Sequence, residues 1–361
     1  MASLVEDLLI SMEEGMKGIE LYCKYISKSE MKSIADALKV NSSLTNLSLE
    51  SNLIGNEGAM FLADALTKNM SLTSLGLSSN RIGNEGVKSL ADALKENTGL
   101  SRLGLSFNEI GDEGAMFLAD ALRENSSLTN LNLENNLIGN VGVKCLADAL
   151  ERNTGLTCLY LKLNRIAGGA MFLANALKVN ESLDYLGLEG NRFGPKGTKF
   201  LADALKVNTS LTRLAFSSND IGDKGARCLA DSLKENTILA VLDLQGNGIG
   251  HEGAKSLADA LKVNTSLTIL NLWSNIIGDE GAMFLADALK VNTVLTSLHL
   301  KTSGISEEGA MCLLDALKVN TSLTRLDIPF NGNDRIDKEI EDRLETNRKL
   351  KKKKISRCFK K

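Results

Sequence analysis

The feature that most constrains this chain is one sequence unit that is repeated along nearly its whole length. The stretch LSLESNLIGNEGAMFLADAL, which begins at Leu47, recurs almost letter for letter. A fixed period of about 28 residues indicates stacked units that share one continuous core. The asparagine inside the stretch recurs at a constant spacing, with one shorter step after RIAGGAMF, and defines the asparagine ladder: Asn52, Asn80, Asn108, Asn136, Asn164, Asn191, Asn219, Asn247, Asn275 and Asn331, with Ser303 taking one place.

Each part of the unit has a predictable local structure. Alternating leucines around Leu47 and Leu49 predict a short strand with its leucines inward. The side chain of Asn52 can both donate to and accept from loop backbone that is otherwise unpaired. Gly58 allows tight packing where a helix begins, and the helix buries a stripe of leucine and alanine. Asn69 follows the helix, where a left-handed residue is favoured, so we predict that conformation there.

The pattern L-x-x-L-x-L-x-x-N-x-I-G with a helical second half resembles leucine-rich repeats. The length of the unit is similar to that of the ribonuclease-inhibitor-like subclass, which also occurs in NOD-like receptors and in Ran GTPase-activating proteins. The resemblance covers about residues 19–347. It implies an α/β solenoid of horseshoe shape, with a parallel β-sheet on the concave side and α-helices on the convex side.

The repeat pattern divides the chain into three predicted segments. Residues 1–18 have apolar residues at helical spacing and are predicted to form an N-terminal capping helix. Residues 19–347 form the solenoid, whose first and last units are degenerate and act as caps. Residues 348–361 hold nine Lys or Arg and no acid, which leaves 33 basic and 45 acidic residues in the acidic remainder. We expect this basic tail to be exposed.

Composition and targeting signals favour a cytoplasmic, reducing location. Cys145, Cys228 and Cys312 share one repeat column that elsewhere holds phenylalanine, which indicates buried reduced thiols. The N-terminus has no basic region before its apolar residues, so it is not expected to be a secretory signal. No stretch reaches the roughly 18 apolar residues of a membrane span. A microbial protein delivered into host cytosol is equally compatible with these features.

The sequence contains no recognisable catalytic motif, and we predict a protein that is not an enzyme and binds no cofactor or metal. Its two histidines, His251 and His299, lie in different repeats, and the recurrent glycines serve turns rather than a phosphate cradle. The main prediction is a scaffold for protein–protein interaction, without a small-molecule substrate. The family resemblance implies two alternatives: a regulator of a small GTPase, and an innate-sensor-like or host-directed effector repeat. Ran GTPase-activating proteins carry an acidic C-terminal region, whereas this C-terminus is basic.

Residues that flank the core leucines of each strand are predicted to form the binding surface. Most are small, and large or charged residues stand out in two clusters. Because Trp, Tyr and Arg most often anchor interfaces, we predict partner contacts there, with scattered surface aromatics as the alternative. The predicted contact residues are Tyr160, Lys162, Tyr185 and Glu189 in the first cluster, Trp273, His299 and Lys301 in the second, and Arg102 and Arg213 beside them.

Two other surfaces are alternatives to the strand face. The convex methionine column is Met60, Met116, Met171, Met283 and Met311, at positions that other repeats fill with Lys or Arg. Methionines there could form an adaptable contact surface or fill gaps between helices. The basic tail could contact acidic membrane lipids, serve nuclear import, or only increase solubility. The acidic body argues against extended nucleic-acid binding, and we expect a monomer.

Overall fold

The structure, a computed structural model, describes residue 10 and residues 14–330 and 332–358, with side chains described as far as residue 353. Residues 1–9 and 11–13 of the predicted capping helix lie outside this range, and of its described residues only residue 10 is helical, because a turn follows at residue 14 and Gly18 begins a strand. The chain forms two compact units, Met1–Gly187 and Leu188–Lys361.

Each unit contains short parallel strands that follow one another in chain order. Paired residues are about one repeat apart; Leu75, for example, pairs with Leu103. The strands of the first unit are β1 (Gly18–Glu20), β2 (Asn46–Ser48), β3 (Ser74–Gly76), β4 (Arg102–Gly104), β5 (Asn130–Asn132), β6 (Cys158–Tyr160) and β7 (Tyr185–Gly187). Those of the second unit are β8 (Arg213–Ala215), β9 (Val241–Asp243), β10 (Ile269–Asn271), β11 (Ser297–His299) and β12 (Arg325–Asp327).

A helix follows each strand and returns the chain to the start of the next one. The helices of the first unit are α1 (Lys28–Val40), α2 (Gly55–Leu66), α3 (Asn84–Glu96), α4 (Asp112–Glu124), α5 (Asn140–Leu150) and α6 (Ala170–Leu177). Those of the second unit are α7 (Gly194–Leu205), α8 (Gly222–Leu233), α9 (His251–Leu261), α10 (Gly278–Val291), α11 (Glu307–Leu317) and α12 (Asp334–Cys358). The alternation of parallel strands and helices confirms the α/β repeat architecture.

The core between strands and helices is aliphatic, as the pattern predicts. The central leucine of a strand, such as Leu103, is buried together with the helix residues Leu118 and Leu122. Gly58 confirms the expected tight packing, because a Cβ at this position would lie 2.1 Å from Cγ2 of Ile54. A larger residue would therefore push helix α2 away from the residue that precedes it.

The asparagine ladder links the backbone of successive repeats. The amide of Asn108 donates to the carbonyl of Leu77 at 3.0 Å, in the preceding repeat. Its carbonyl accepts from the backbone N–H of Asn80 at 3.0 Å and of Ile82 at 2.9 Å. The described ladder residues are buried, Ser303 included, whereas Asn331 lies outside the described residues. Each ladder side chain thus satisfies buried backbone groups that have no other partner within their own turn.

The asparagine at the helix end also forms a ladder, and our prediction of a left-handed conformation for it is wrong. Asn97 has φ −77° and ψ 118°, which is extended backbone. Its amide donates to the carbonyls of Leu66 at 2.7 Å and Asn69 at 2.8 Å. Its carbonyl accepts from the backbone N–H of Leu100 at 2.8 Å. The residue is therefore selected for buried hydrogen bonding between repeats rather than for its tolerance of positive φ.

A third set of contacts between repeats caps the helices, and the sequence analysis did not find it. One carboxylate oxygen of Asp112 accepts from the backbone N–H groups of Gly139 at 2.6 Å and Gly142 at 2.7 Å. These N–H groups belong to the start of the next helix, α5, and would otherwise lack a partner. Asn56 makes the same contacts with Gly83 and Gly86. Acidic residues at helix starts are thus caps for the following helix, besides their favourable interaction with the helix dipole.

The one short repeat differs at the start of its helix. The step from Asn164 to Asn191 is shorter by one position than the other steps, and a 3₁₀ turn, Ala167–Gly169, precedes the short helix α6. The N–H of Gly169 donates to the carbonyl of Ile166 at 2.8 Å. A tighter turn with fewer residues per turn absorbs the missing residue, so Leu173 and Leu177 remain buried.

The last helix extends beyond the predicted boundary at residue 348. Helix α12 runs without a break from Asp334 to Cys358. Its apolar stripe, Ile336, Ile340 and Leu344, is buried as expected for a cap. The basic residues therefore continue a helix instead of following it as a separate tail, and Arg348 pairs with Glu341 and Glu345 on the same helix.

Candidate functional site

The face of each strand opposite the helices presents three columns of side chains, which we call the sheet face. The first column is the first residue of each strand, the second column is the last, and the third column lies two residues farther along. The middle leucine points into the core: Leu242, Leu270 and Leu298 are fully buried, whereas their neighbours are half-buried. Parallel register places residues of the same column side by side.

The sheet face of the second unit has a cavity of about 530 Å³, which we call the β9–β12 cavity. It contains all three residues of the second predicted cluster, Trp273, His299 and Lys301, so the structure brings them together. The complete lining is Val241, Leu242, Asp243, Gln245, Ile269, Asn271, Trp273, His299, Lys301, Arg325 and Asp327.

A row of polar side chains crosses the floor of this cavity. Asp243, Asn271, His299 and Asp327 occupy the second column of four successive strands and pair in register. Nδ1 of His299 lies 2.5 Å from a carboxylate oxygen of Asp327. The guanidinium of Arg325 donates to the same carboxylate at 3.0 and 3.1 Å. Asp327 is thus held from two sides.

The two carboxylates of the row have different electrostatic surroundings. Burial raises the pKa of Asp327, but the hydrogen bonds from Arg325 and His299 outweigh this effect, so its pKa lies below the usual value. Burial also raises the pKa of Asp243, and here the hydrogen bonds from Gln245 and Asn271 do not compensate for it. The pKa of Asp243 therefore lies above its usual value, because its negative charge is less well stabilised.

The indole of Trp273 forms one wall of the cavity in a fixed orientation. Its Nε1–H donates to Oγ1 of Thr302 at 3.2 Å, and its backbone N–H donates to Oδ1 of Asn271 at 3.0 Å. The side chain is nonetheless 42% exposed. A large aromatic side chain that is held by hydrogen bonds and still exposed can contact a partner with little loss of conformational entropy.

The first predicted cluster is divided between the two units. Tyr160 and Tyr185 lie in the first unit and pack together, with ring centroids 4.6 Å apart and planes tilted by 36°. Tyr160 pairs in register with Gly187, which has no side chain to compete for space. Lys162 forms an ion pair with Glu134 at 3.0 Å. Glu189 belongs to the second unit, in its third column.

Arg102 and Arg213 begin strands β4 and β8, where they are exposed. Neither lines the β9–β12 cavity.

Near the start of the chain, the sheet face is lined by smaller residues. A depression of about 500 Å³ lies over β1 to β3, and Ser48, Gly76 and Ser74 are among its lining residues. Glu20 and Glu50 supply its charged groups. No aromatic residue lines this depression in the described part of the chain, so it lacks the side chains that most often anchor interfaces.

Two families of known proteins match parts of the sequence. The TMOD/LMOD leucine-rich domain matches residues 4–111 and 79–170. The leucine-rich repeat family matches residues 207–230, 235–258, 263–286 and 291–314. With the repeated strands, helices and asparagine ladder, these matches decide the family. The chain is a leucine-rich-repeat protein of the ribonuclease-inhibitor-like type.

Three solved structures are similar to this chain at low sequence identity, one of them with a TM-score above 0.5. A chain of the Rad7 and Elc1 complex of yeast is 18% identical, with a TM-score of 0.53; the match covers 84% of this leucine-rich-repeat protein and 77% of that chain. The tropomodulin C-terminal domain of Caenorhabditis elegans is 20% identical, with a TM-score of 0.37; the match covers 42% of this chain and 93% of that domain's chain. A structure of leiomodin-1 actin-binding site 2 is 21% identical, with a TM-score of 0.34; the match covers 49% of this chain and 89% of that chain. No curated protein sequence matches this chain significantly.

The helices of this leucine-rich-repeat protein carry the convex methionine column. Met60, Met116 and Met283 are each exposed by about half. Where lysine takes this position, it packs on the next repeat instead: Nζ of Lys88 lies 5.4 Å from the ring centroid of Phe117. The half-buried cysteines beside this column are free thiols, and burial raises the pKa of Cys228 and Cys312. Met311 of this column lines a cavity of about 260 Å³, which is smaller than the β9–β12 cavity. The convex column is thus partly covered.

Three charged residues of the cavity were not singled out by the sequence analysis: Asp243, Asp327 and Arg325. Each lies on a strand next to one that carries a predicted contact residue. The sequence contained a signal for them, because Asp243 and Asp327 share the column of His299, but charged residues on a strand face usually contact only solvent.

In the described part of the chain, no group of His, Cys, Asp and Glu is arranged to hold a metal ion. The described helices include none with the length and apolar character of a membrane span.

Proposed function

We propose that this leucine-rich-repeat protein binds a protein partner on its sheet face, with the β9–β12 cavity as the anchor site. The observation that carries the proposal is the exposed Trp273 beside a cavity of about 530 Å³. The matches to leucine-rich-repeat families support the proposal, because repeat arrays present extended surfaces that are suited to binding. Binding energy at interfaces concentrates in a few aromatic and arginine side chains next to pockets.

The Tyr160–Tyr185 pair is the second proposed contact, in the first unit. The two rings already pack against each other, so little conformational freedom is lost when a partner covers them. Neighbouring Lys162 is paired with Glu134 and contributes specificity rather than much affinity, because exposed ion pairs are weak. We therefore expect the tyrosine pair to contribute less than Trp273, which lies beside an open cavity.

A reducing intracellular compartment is also part of the proposal. Cys23, Cys145, Cys158, Cys228 and Cys312 are free thiols in the structure. Unpaired cysteines in this number are typical of reducing compartments. Alkylation of freshly lysed cells followed by mass spectrometry would check it: modification at all five positions is expected, and a disulfide between any two would contradict it.

Affinity capture from cell lysate with the full chain tests the binding surface. The baits are the intact chain, Trp273→Ala, the Tyr160→Ala/Tyr185→Ala double variant, and a variant with Lys351, Lys352 and Lys353 changed to Gln. Met283→Ala is the matched control. Met283 is 43% exposed and Trp273 is 42% exposed, but Met283 lies on a helix and not on the sheet face. We expect a specific protein that is lost with Trp273→Ala, reduced with the tyrosine variant, and retained with the others.

Two outcomes would contradict the proposal. Loss of the captured protein with Met283→Ala alone would place binding on the helices. Loss with the lysine variant alone would place it on the basic end of α12. Circular dichroism of each bait shows whether the variant is folded, and a folded Trp273→Ala bait that captures the same protein as the intact chain would exclude the cavity.

A further inference from the structure

We propose that the β9–β12 cavity recognises an arginine side chain of the partner, with its guanidinium bound by Asp243 and stacked on Trp273. This inference rests on the proposed function, because it names the chemistry that the anchor site accepts. It is carried by three features of the cavity: a carboxylate without a cation, an apolar wall beside it, and an exposed indole.

Asp243 is the carboxylate without a cation. It accepts a hydrogen bond from the backbone N–H of Gln245 at 3.0 Å and another from the side chain of Asn271. Within the described residues, no Lys, Arg or His nitrogen forms an ion pair with it. Asp327, three strands along, has both Arg325 and His299. His299 acts on the charge of Asp243 only from a longer distance. Asp243 therefore offers, at the floor of an open cavity, a negative charge without a direct ion-pair partner among the described residues, and a partner's cation would replace its lost hydration.

The apolar wall next to Asp243 suits the aliphatic part of a long side chain. Val241 and Ile269 are the first residues of β9 and β10, are half-buried, and line the cavity. Asp243 and Asn271 lie two residues farther along the same strands. A side chain that enters over Val241 and Ile269 would bury its methylene groups there and bring its charged end to the carboxylate.

Trp273 supplies the second surface for a cation. It lies in the turn that follows β10, two residues beyond Asn271, which pairs with Asp243. Asp243 and Trp273 both line the cavity, so one arginine side chain that enters it can reach the carboxylate and the indole. The hydrogen bond to Thr302 holds the indole in place, and its exposed face is available for a cation.

Arginine fits this arrangement better than lysine. A guanidinium is planar, so it can stack on the indole and present two N–H groups to one carboxylate at the same time. The ammonium group of lysine can make only one of these contacts well. An acidic ligand would need Lys301 and Arg325, but the guanidinium of Arg325 is already bound to Asp327, which leaves Lys301 as the only cation at the rim among the described lining residues.

Intrinsic fluorescence tests the inference directly, because Trp273 is the only tryptophan in the chain. The full-length protein is titrated with acetyl-Gly-Arg-Gly-amide and with the matched peptides that contain citrulline, lysine or aspartate. Citrulline has the shape of arginine without its charge. We expect a saturable change with the arginine peptide at concentrations of about 1 mM, typical of a single side chain, and binding that is roughly tenfold weaker with citrulline.

The decisive variant is Asp243→Asn, which keeps the shape of the side chain and removes its charge. We expect it to weaken binding of the arginine peptide about tenfold. Asp220→Asn is the matched control, since it makes the same charge change at an exposed loop position outside the cavity. Circular dichroism confirms the fold of both. An equal response to the citrulline or aspartate peptide, no saturable response to the arginine peptide, or unchanged binding in Asp243→Asn would overturn the inference.

The same variants separate this inference from the proposed function. If a captured partner is lost with Trp273→Ala and retained at full strength with Asp243→Asn, the sheet face binds the partner and the arginine chemistry is wrong. If both variants retain the partner, the cavity is not the anchor site and both proposals fail. Loss of the partner with both variants, together with its displacement from the intact chain by the arginine peptide but not by the citrulline peptide, is the result that supports them.

Discussion

At the scale of single residues, this protein uses buried asparagines to connect the backbone of successive repeats. Most described ladder asparagines donate to the preceding repeat and accept from its backbone, as Asn275 does with the carbonyl of Leu244 at 2.9 Å and the N–H of Asn247 at 3.0 Å. Ser303 is shorter, and its hydroxyl donates to the carbonyl of Leu300 in its own repeat. One rung of the ladder is therefore incomplete.

Replacing Ser303 with asparagine should complete this rung. The new amide would reach the carbonyl of Leu272, and its oxygen would accept from the N–H of Asn275. We expect the free energy of unfolding to rise by about 1 kcal/mol, the usual net value of an added buried hydrogen bond. Urea unfolding with an unchanged m-value measures it. Thr293→Asn, at an exposed position, should have no effect, and a lower stability of Ser303→Asn would show that the site cannot accept the larger side chain.

Asp243 is expected to reduce stability at neutral pH. Its pKa is raised above 3.8 because burial disfavours the charged form. The folded state therefore binds more protons than the unfolded state just above this pH, so stability falls as pH rises through that window and remains lower at pH 7. Asp243→Asn should raise the free energy of unfolding at pH 7 on the order of 0.5 kcal/mol, after allowance for solvent screening in the open cavity.

The pH dependence distinguishes this effect from an unrelated packing change. At pH 3, where the carboxyl is protonated in both states, Asp243→Asn and the intact protein should unfold at nearly the same urea concentration. Asp203→Asn, at an exposed position of helix α7, should match the intact protein at both pH values. A variant at position 243 that is less stable than the intact protein at pH 7 would show that its charge is compensated in the folded state.

At the scale of secondary structure, the last helix is the element that closes the second unit. The first half of α12 buries Ile336, Ile340 and Leu344, and its second half carries the basic residues. Lysine and arginine are good helix formers, and the ion pairs of Arg348 with Glu341 and Glu345 join the two halves. The sequence analysis predicted a separate tail because the change in charge after residue 347 says nothing about whether the helix continues.

Leu344 and Leu350 test which part of α12 acts as the cap. Leu344 is 1% exposed and Leu350 is 39% exposed, on the same helix. Leu344→Ala should lower the free energy of unfolding by about 2–4 kcal/mol, since it leaves a cavity in the core. Leu350→Ala should change it by less than about 1 kcal/mol. Equal effects of the two substitutions in urea unfolding would mean that the basic half packs as tightly as the apolar half.

At the scale of the whole molecule, the repeat period was sufficient to predict the fold but only part of the β9–β12 cavity. The spacing of Leu47, Asn52 and Leu62 predicted strand, turn and helix in every described repeat. The caps made by Asp112 could not be found, because their partners belong to the next repeat, 27 and 30 residues away. In the cavity, Trp273 could be singled out because it is the only tryptophan in the sequence. Asp243 could not, because the sequence does not show which charged residues have an ion-pair partner.

The repeats should also behave as units that depend mainly on their neighbours. Each described ladder residue contacts the adjacent repeat, and in repeat arrays stability is approximately the sum of such nearest-neighbour terms. Asn108→Ala, in the first unit, removes hydrogen bonds to Leu77, Asn80 and Ile82. Asn247→Ala, in the second, removes the bond to Phe216 and the one from Asn219.

Hydrogen exchange followed by mass spectrometry can locate the effect of each substitution. We expect Asn108→Ala to raise amide exchange in its own repeat and the two beside it, and Asn247→Ala to do the same around residue 247, each leaving the other unit close to the intact protein. The reason is that every unsatisfied buried group raises the local free energy by about 1–3 kcal/mol, which opens the segment that contains it before the rest of the chain unfolds. Glu109→Ala, an exposed neighbour of Asn108, should leave the exchange pattern unchanged. Uniform acceleration along the whole chain with either asparagine variant would mean that the repeats unfold as a single cooperative body, and the nearest-neighbour description would not hold.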